Sequence, residues 1–158
     1  MRAASRATIL QLRAPDLTAR ELETNAIELV ASSSVPVIIS SRCDIALAAG
    51  AAGVNLPERD IGVRDARRLL GQKLIGRSVH SLEAAQQAEQ DGADFVIFGP
   101  VWESESHPGS DPAGLEALTL VAHALRIPVL AIGGVSEERI GDCDAAGAAG
   151  FAAIRLFQ

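Results

Sequence analysis

Short apolar runs separated by helix-patterned segments recur along the whole chain, and no other feature constrains its fold as tightly. The runs are 7–12, 35–39, 52–56, 73–78, 94–99, 128–132 and 150–156. A continuous apolar run of that length reads as a strand buried on both faces, the mark of a parallel sheet. Helix signals fill the spaces between. Thr18-Ala19-Arg20-Glu21 is a capping box that opens a helix to about Ser32. Residues 42–49 form a short Ala-rich helix ended by Gly50, residues 63–70 stop at Gly71, and 81–90 stop before Gly92. Residues 114–125 end ahead of Pro128, and 136–146 stop at Gly147. Alternation of this kind predicts one α/β domain over residues 1–158.

The units repeat roughly every 18 to 34 residues, shorter than most doubly wound crossovers and consistent with a TIM-barrel-like (β/α)8 fold. Yet there are seven strand candidates, no helix after the last, and 158 residues. A complete barrel usually takes at least about 200 residues. The expectation is therefore an incomplete barrel. Composition agrees with the class: 48% of residues are apolar, with Ala prominent, and only 3% are aromatic, which suits close helix–sheet packing.

The balance of charge narrows the partners. A net charge of -6 without any Lys/Arg run excludes nucleic acid and an anionic membrane surface. An anionic ligand must instead be held by local donors. Cys43 and Cys143 have no metal-ligand spacing around them and read as free buried thiols of a reducing cytoplasm. Met1 to Arg6 is basic but short, and no long apolar segment follows, so neither a signal peptide nor a membrane span is expected.

Two places stand out for chemistry. The strand Val129-Leu130-Ala131-Ile132 runs into Gly133-Gly134, then Ser136, which is placed to cap the following helix. Such a turn bares N–H groups near a helix N-terminus and suits a phosphate; a tight turn with no ligand is the plainer alternative. The other place is the connection Pro100 to Ala113, long and rich in Ser, Pro and Gly. Long connections in compact domains are commonly functional, and this one leaves the C-terminal end of its strand, where parallel α/β folds put their sites. Lys73, the only lysine, opens its strand at the opposite end, which excludes a Schiff-base aldolase.

Taken in order, five segments resemble the thiamine phosphate synthase/TenI family. They are Ile9-Leu10-Gln11-Leu12-Arg13, Ser40-Ser41-Arg42-Cys43-Asp44-Ile45-Ala46-Leu47, Gly76-Arg77-Ser78-Val79-His80-Ser81, Gly99-Pro100-Val101-Trp102 and Ala131-Ile132-Gly133-Gly134-Val135. The resemblance spans about residues 7 to 157 and implies a (β/α)8 barrel. Relative to that family the chain starts at the second strand and stops at the eighth, without the first strand, the first helix or the last helix. Family synthases join a hydroxymethylpyrimidine diphosphate to a thiazole phosphate. The diphosphate leaves with Mg2+ assistance, and the thiazole nitrogen attacks the pyrimidine cation.

The resemblance assigns roles residue by residue. Gln11 and Arg13 match a Gln-x-Arg that contacts pyrimidine and diphosphate. Asp60 matches a Mg2+ ligand, and Ser78 a hydroxyl on the diphosphate side. Gly133 and Gly134 match the thiazole-phosphate cradle. Ser104 and Ser106 fall where the family has the threonines of a Thr-x-Thr-Lys loop. The departures are as informative. Pro15 and His107 stand where synthases carry lysines, Ser40-Ser41 replaces an Asn-Asp pair whose Asp is the second Mg2+ ligand, and Arg155 replaces a serine. TenI tautomerases carry a His where this chain has Pro100.

Each candidate has a plainer role as well. Arg13 either meets a ligand or forms a structural salt bridge, since a charge ending an apolar strand is costly alone. Asp60 either binds metal or caps a turn, and Ser78 either contacts a ligand or bonds within its turn. His80 reads as part of the turn before Ser81, and His123 as a surface residue. His107 either places charge near a phosphate or faces solvent, and Trp102 either walls a ring pocket or packs at the mouth. Arg155 is placed to pair with the thiazole phosphate.

The function expected is thus a synthase-type transferase of cytoplasmic thiamine biosynthesis, with weak Mg2+ use. The rivals are a non-catalytic protein that keeps only the thiazole-phosphate pocket, and a thiazole tautomerase without its His. The sheet edges 7–12 and 150–156 either stay open, favouring a homo-oligomer, or pair with each other in a seven-stranded barrel.

Overall fold

A computed structural model of the chain describes residues 7–103 and 111–154. Its centre is one parallel sheet of seven strands in sequence order: β1 Leu10–Leu12, β2 Val37–Ser40, β3 Gly53–Leu56, β4 Leu74–Val79, β5 Phe95–Phe98, β6 Val129–Ile132 and β7 Gly150–Ala152. The helices between them are α1 Ala19–Ser32, α2 Cys43–Ala48, α3 Val63–Leu70, α4 Leu82–Gln90, α5 Gly114–Ala124 and α6 Ile140–Ala145. Every neighbouring strand pair is parallel, which brings all the strand C-terminal ends to one edge of the sheet. This is the curled α/β half-barrel of the TIM-barrel class, with β1 and β7 as outer strands.

Residue alternation divides the sheet into two faces. Val37, Ile39, Val54, Leu56, Ile75, Val79, Val96, Phe98, Val129 and Ala131 bury themselves under the helices in the main core. Helix residues Leu22, Ala26, Ala46, Ala66, Ala85 and Leu118 answer them, and the many alanines let the helices ride close to the strands. A smaller cluster of Ile38, Phe95 and Ile97, joined by Leu74, Leu130 and Ile132, fills the inner face. Cys43 and Cys143 are free and buried on the helix side. Burial raises both thiols above the usual cysteine range, with nearby aspartates adding to the shift.

The capping box at Thr18 forms as expected, Glu21 N–H donating to Thr18 Oγ1 and Thr18 N–H to Glu21. Three boundaries differ from the sequence reading. The first strand is only Leu10–Leu12 and the last only Gly150–Ala152, because each has a single partner strand to hold it. The helix expected over 136–146 divides into a 3-10 turn, Glu137–Arg139, and α6, and the Ser136 side chain makes no capping hydrogen bond. Among the described residues no pairing joins β7 to β1, so the sheet is open and the direct edge-to-edge pairing is not formed.

Glycine lets strands approach where no side chain fits. A β-carbon on Gly53 would stand 1.9 Å from the Leu74 carbonyl oxygen, a backbone atom that cannot step aside. Gly141, inside α6, has nothing within 4 Å of that position. Gly53→Ala is therefore expected to lower unfolding free energy by roughly 2–4 kcal/mol, whereas Gly141→Ala should raise it by about 0.5–1 kcal/mol. Denaturant melts of the two variants beside the parent chain check both signs.

Candidate active site

The C-terminal edge of the sheet collects the residues singled out from the sequence. Gln11 and Arg13 stand at the end of β1, Ser40 closes β2 with Ser41 after it, Asp60 lies beyond β3, Ser78 near the end of β4, and Gly133-Gly134 after β6. Ser104, Ser106, His107 and Arg155 lie outside the described residues. Arg13 is exposed and forms no hydrogen bond or ion pair among the described residues. The structural salt bridge weighed for it is absent, and exposure on an outer strand relieves the cost of its charge.

Asn55 is the site residue that the sequence reading missed. It is 3% exposed and is the one buried polar residue in the sheet. Its Nδ2 donates to Ser78 Oγ at 3.0 Å, while its Oδ1 has no hydrogen-bond partner. The Oδ1 and the edge of the Phe95 ring both lie over the bare α-carbon of Gly76, within 2.9 Å of where a β-carbon would stand. The amide is oriented by its Nδ2 hydrogen bond to Ser78. Ser78 Oγ accepts a hydrogen bond there, so its own O–H is left to donate elsewhere. The signal in the sequence was an asparagine inside an apolar strand, Gly53-Val54-Asn55-Leu56.

Asp60 makes the turn contact that its plainer role describes. Its Oδ1 accepts the Ile61 N–H at 2.7 Å, bracing the turn before α3. Arg77, whose side chain the sequence did not single out, grips the same loop by the carbonyls of Glu58 and Ile61 at 2.6 and 2.8 Å. Burial pulls its guanidinium below the usual arginine range, opposed by Asp60, Glu58 and Asp91. Among the described residues no three His, Cys, Asp or Glu side chains come together to hold a metal. With one Asp60 oxygen engaged in its turn and Ser41 a hydroxyl where a second carboxylate would stand, the described residues do not compose a preformed Mg2+ site. Ser41 is held at φ 67°, in the left-handed region, its N–H bonded to the Asn55 carbonyl at 3.0 Å.

His80 precedes the Ser81 cap of α4, and its side chain reaches two other strand–helix units rather than its own turn. Nδ1 meets the Gly99 carbonyl and so carries the proton, and Nε2 lies 3.5 Å from Glu58 Oε2. His123 is exposed in the last turn of α5, and Lys73 bonds the Ala51 carbonyl before β4, at the far end of the sheet. A cavity of about 230 Å³ between α3 and α4, lined by Val63, Arg77, Val79, Ala84 and Asp91, lies on the helix side and is not part of this edge.

At Gly133-Gly134 both glycines take positive φ, 91° and 67°. They also make room for the base of the long connection. A β-carbon on Gly133 would stand 2.5 Å from Pro100 Cβ, and one on Gly134 2.6 Å from the Glu103 carbonyl oxygen. Val101 N–H bonds the Ile132 carbonyl and Trp102 N–H the Gly133 carbonyl, at 2.8 and 3.1 Å. The N–H groups of Gly133 and Gly134 themselves meet no acceptor among the described residues. Arg139 sits beside the turn, with Nη1 on the Gly134 carbonyl at 2.7 Å and its guanidinium 5.1 Å from the Trp102 ring centroid.

The fold defines the chain as an open α/β half-barrel of the TIM-barrel class, with unbonded Gly133 and Gly134 amides and a part-buried Asn55–Ser78 pair at the C-terminal edge of its sheet among the described residues. The chain belongs to the thiamine monophosphate synthase family, whose model matches residues 1–157. It is 42% identical to the thiamine-phosphate synthase of Chlorobium luteolum and 38% identical to that of Chloroflexus aurantiacus. Each alignment takes in 94% of this chain, and 72% and 70% of the respective relatives. The thiamine phosphate pyrophosphorylase structure from Pyrococcus furiosus superposes with TM-score 0.86 at 31% identity, over 96% of this chain and 75% of that one. FabK from Thermotoga maritima shares the fold alone, with TM-score 0.79 at 20% identity, over 98% of this chain and 53% of that one.

The orphaned Asn55 Oδ1 costs about 1–3 kcal/mol. Leucine branches at the same atom and has no polar group to strand. Asn55→Leu is expected to hold or raise the melting temperature, and Asn55→Asp to lower it through a buried charge. A loss of more than about 2 kcal/mol in the leucine variant would make the amide structural.

Proposed function

We propose that this chain acts as a thiamine-phosphate synthase in the cytoplasm, transferring the pyrimidine-methyl group from hydroxymethylpyrimidine diphosphate to thiazole phosphate. The observation that carries the reading is the shared edge: unbonded Gly133 and Gly134 amides, the Ser78 hydroxyl and an unpaired Arg13 all open onto the strand C-termini. Family membership supplies the reaction, and the edge supplies groups suited to it.

In the transfer, the methylene–oxygen bond breaks and the diphosphate departs with the bonding electrons. The thiazole nitrogen then gives its lone pair to the methylene carbon, so no proton needs to move. What the protein must supply is stabilisation of the departing negative charge and alignment of the two rings. Arg13 meets the diphosphate as a fixed cation, and Ser78 donates its O–H, turned outward by Asn55. Gln11, beside Arg13 on the strand, orients the pyrimidine. The Gly133 and Gly134 amides hold the thiazole phosphate at the other side of the edge. Ser104, Ser106, His107 and Arg155 complete the reading on the residues matched by sequence. No step is assigned to Mg2+, because the residues present do not compose its site.

A second reading, a protein that binds thiazole phosphate without catalysing transfer, is favoured by that same deficit of carboxylates. One assay separates the two. Both substrates are incubated with the purified chain, and thiamine phosphate and pyrophosphate are measured together. Equal appearance of both products is expected, with Arg13→Ala about 10²-fold slower, the usual cost of one charge-stabilising donor. Binding of thiazole phosphate with no product would favour the second reading.

Magnesium dependence gives a further check. Ser41→Asp should tighten Mg2+ binding and raise any activity, because a carboxylate supplies the charge and oxygen that serine lacks. Ser41→Asn is the control. Asparagine also accepts the left-handed backbone of position 41, so both variants should melt higher, but only the aspartate should respond to metal. Family-level Mg2+ affinity in the unaltered chain would contradict the expectation.

A further inference from the structure

We propose that Arg139 is a binding residue for the phosphate at the Gly133-Gly134 turn, a cation that the sequence motif of the turn does not contain. The inference rests on the reading of that turn as the thiazole-phosphate cradle and adds the residue that makes it selective for a phosphate.

Three observations converge. First, the N–H groups of Gly133 and Gly134 have no acceptor among the described residues, so the turn presents donors and nothing to satisfy them. Second, Arg139 is half-buried and forms no ion pair among the described residues, although a partly desolvated cation ordinarily finds a carboxylate. Third, the guanidinium is fixed in position. It stacks over Trp102 at 5.1 Å and gives one N–H to the Gly134 carbonyl at 2.7 Å. A guanidinium has five N–H donors, and one is used here.

The stack and the single hydrogen bond hold the side chain so that little conformational freedom remains to be lost on binding. Because Nη1 touches the carbonyl of Gly134, the charge lies one peptide unit along the chain from the Gly134 N–H and two from that of Gly133. Amides alone suit any small anion or a water. Amides with an uncompensated guanidinium beside them suit a tetrahedral dianion, whose oxygens accept from both. The donors are not those of a helix N-terminus, since the 3-10 turn has three residues and α6 only six. Placement of Arg139 depends on Trp102, so the base of the long connection helps to build the phosphate site even though it belongs to another strand's loop.

The competing explanation is that Arg139 only staples the turn to Trp102. Titration of the full chain with inorganic phosphate, followed by amide and guanidinium NMR signals, separates the two. In the unaltered chain the Gly133 and Gly134 amides and the Arg139 Nε–H should shift together at millimolar phosphate. Arg139→Gln should weaken phosphate binding by roughly tenfold or more, and Arg139→Lys should fall between, keeping charge without the planar fork. Glycine amides that shift while Arg139 Nε–H stays still, or an Arg139→Gln chain that binds phosphate as before, would overturn the inference and leave the turn's own assignment intact. Should no glycine amide move, the cradle reading falls, and the role of Arg139 with it. The Nε–H signal is read in the unaltered chain, so the test holds even if the glutamine variant fails to fold.

Discussion

Parallel pairing of every neighbouring strand is the constraint on which the rest of the molecule depends. It sends each chain crossing back under the helices and delivers every strand's C-terminal end to the same edge. Gln11, Ser40, Asn55, Ser78 and Gly133 are far apart in sequence, yet strand pairing gathers them there, and of these only Asn55 and Ser78 are joined by a side-chain hydrogen bond among the described residues. The chemistry can be spread over many short loops because the ladder beneath them is rigid.

Close approach is the second requirement, and glycine meets it at several levels of the sheet. Gly53 lets β3 lie against the Leu74 backbone, Gly76 admits the Phe95 ring, and Gly99 faces the Ile132 carbonyl. At Gly133-Gly134 the same device serves packing and site together. The turn must lack side chains for Pro100 and Glu103 to approach it, and its N–H groups meet no acceptor among the described residues. A tight turn and a phosphate cradle, set against each other when only the sequence is considered, prove compatible.

Alanine-rich helices, capping at Thr18, helix stops at glycines and the seven strands were legible because each is dictated by local chemistry: apolar periodicity, one side-chain oxygen, or one permissive backbone. Boundaries at the outer strands and in the segment 136–146 were less legible. A lone strand partner shortens β1 and β7, and Ser136 had a capping sequence but no cap geometry. For the site, position along the edge was readable from motif order, whereas partnership was not. Arg13 looked as though it needed a partner and has none among the described residues, while Arg77, not singled out from the sequence, anchors a loop.

By itself the sequence determined the class of fold, the parallel sheet and the strand ends that carry candidate chemistry, since these follow from hydrophobic spacing and turn residues within a few positions of one another. Tertiary structure alone decided that Asn55 bonds Ser78, that the Phe95 ring lies over Gly76, and that Arg139 stacks on Trp102 beside the Gly134 carbonyl. Those contacts join residues from different strand–helix units. Their distances depend on sheet curl and side-chain packing, which no local stretch of sequence encodes.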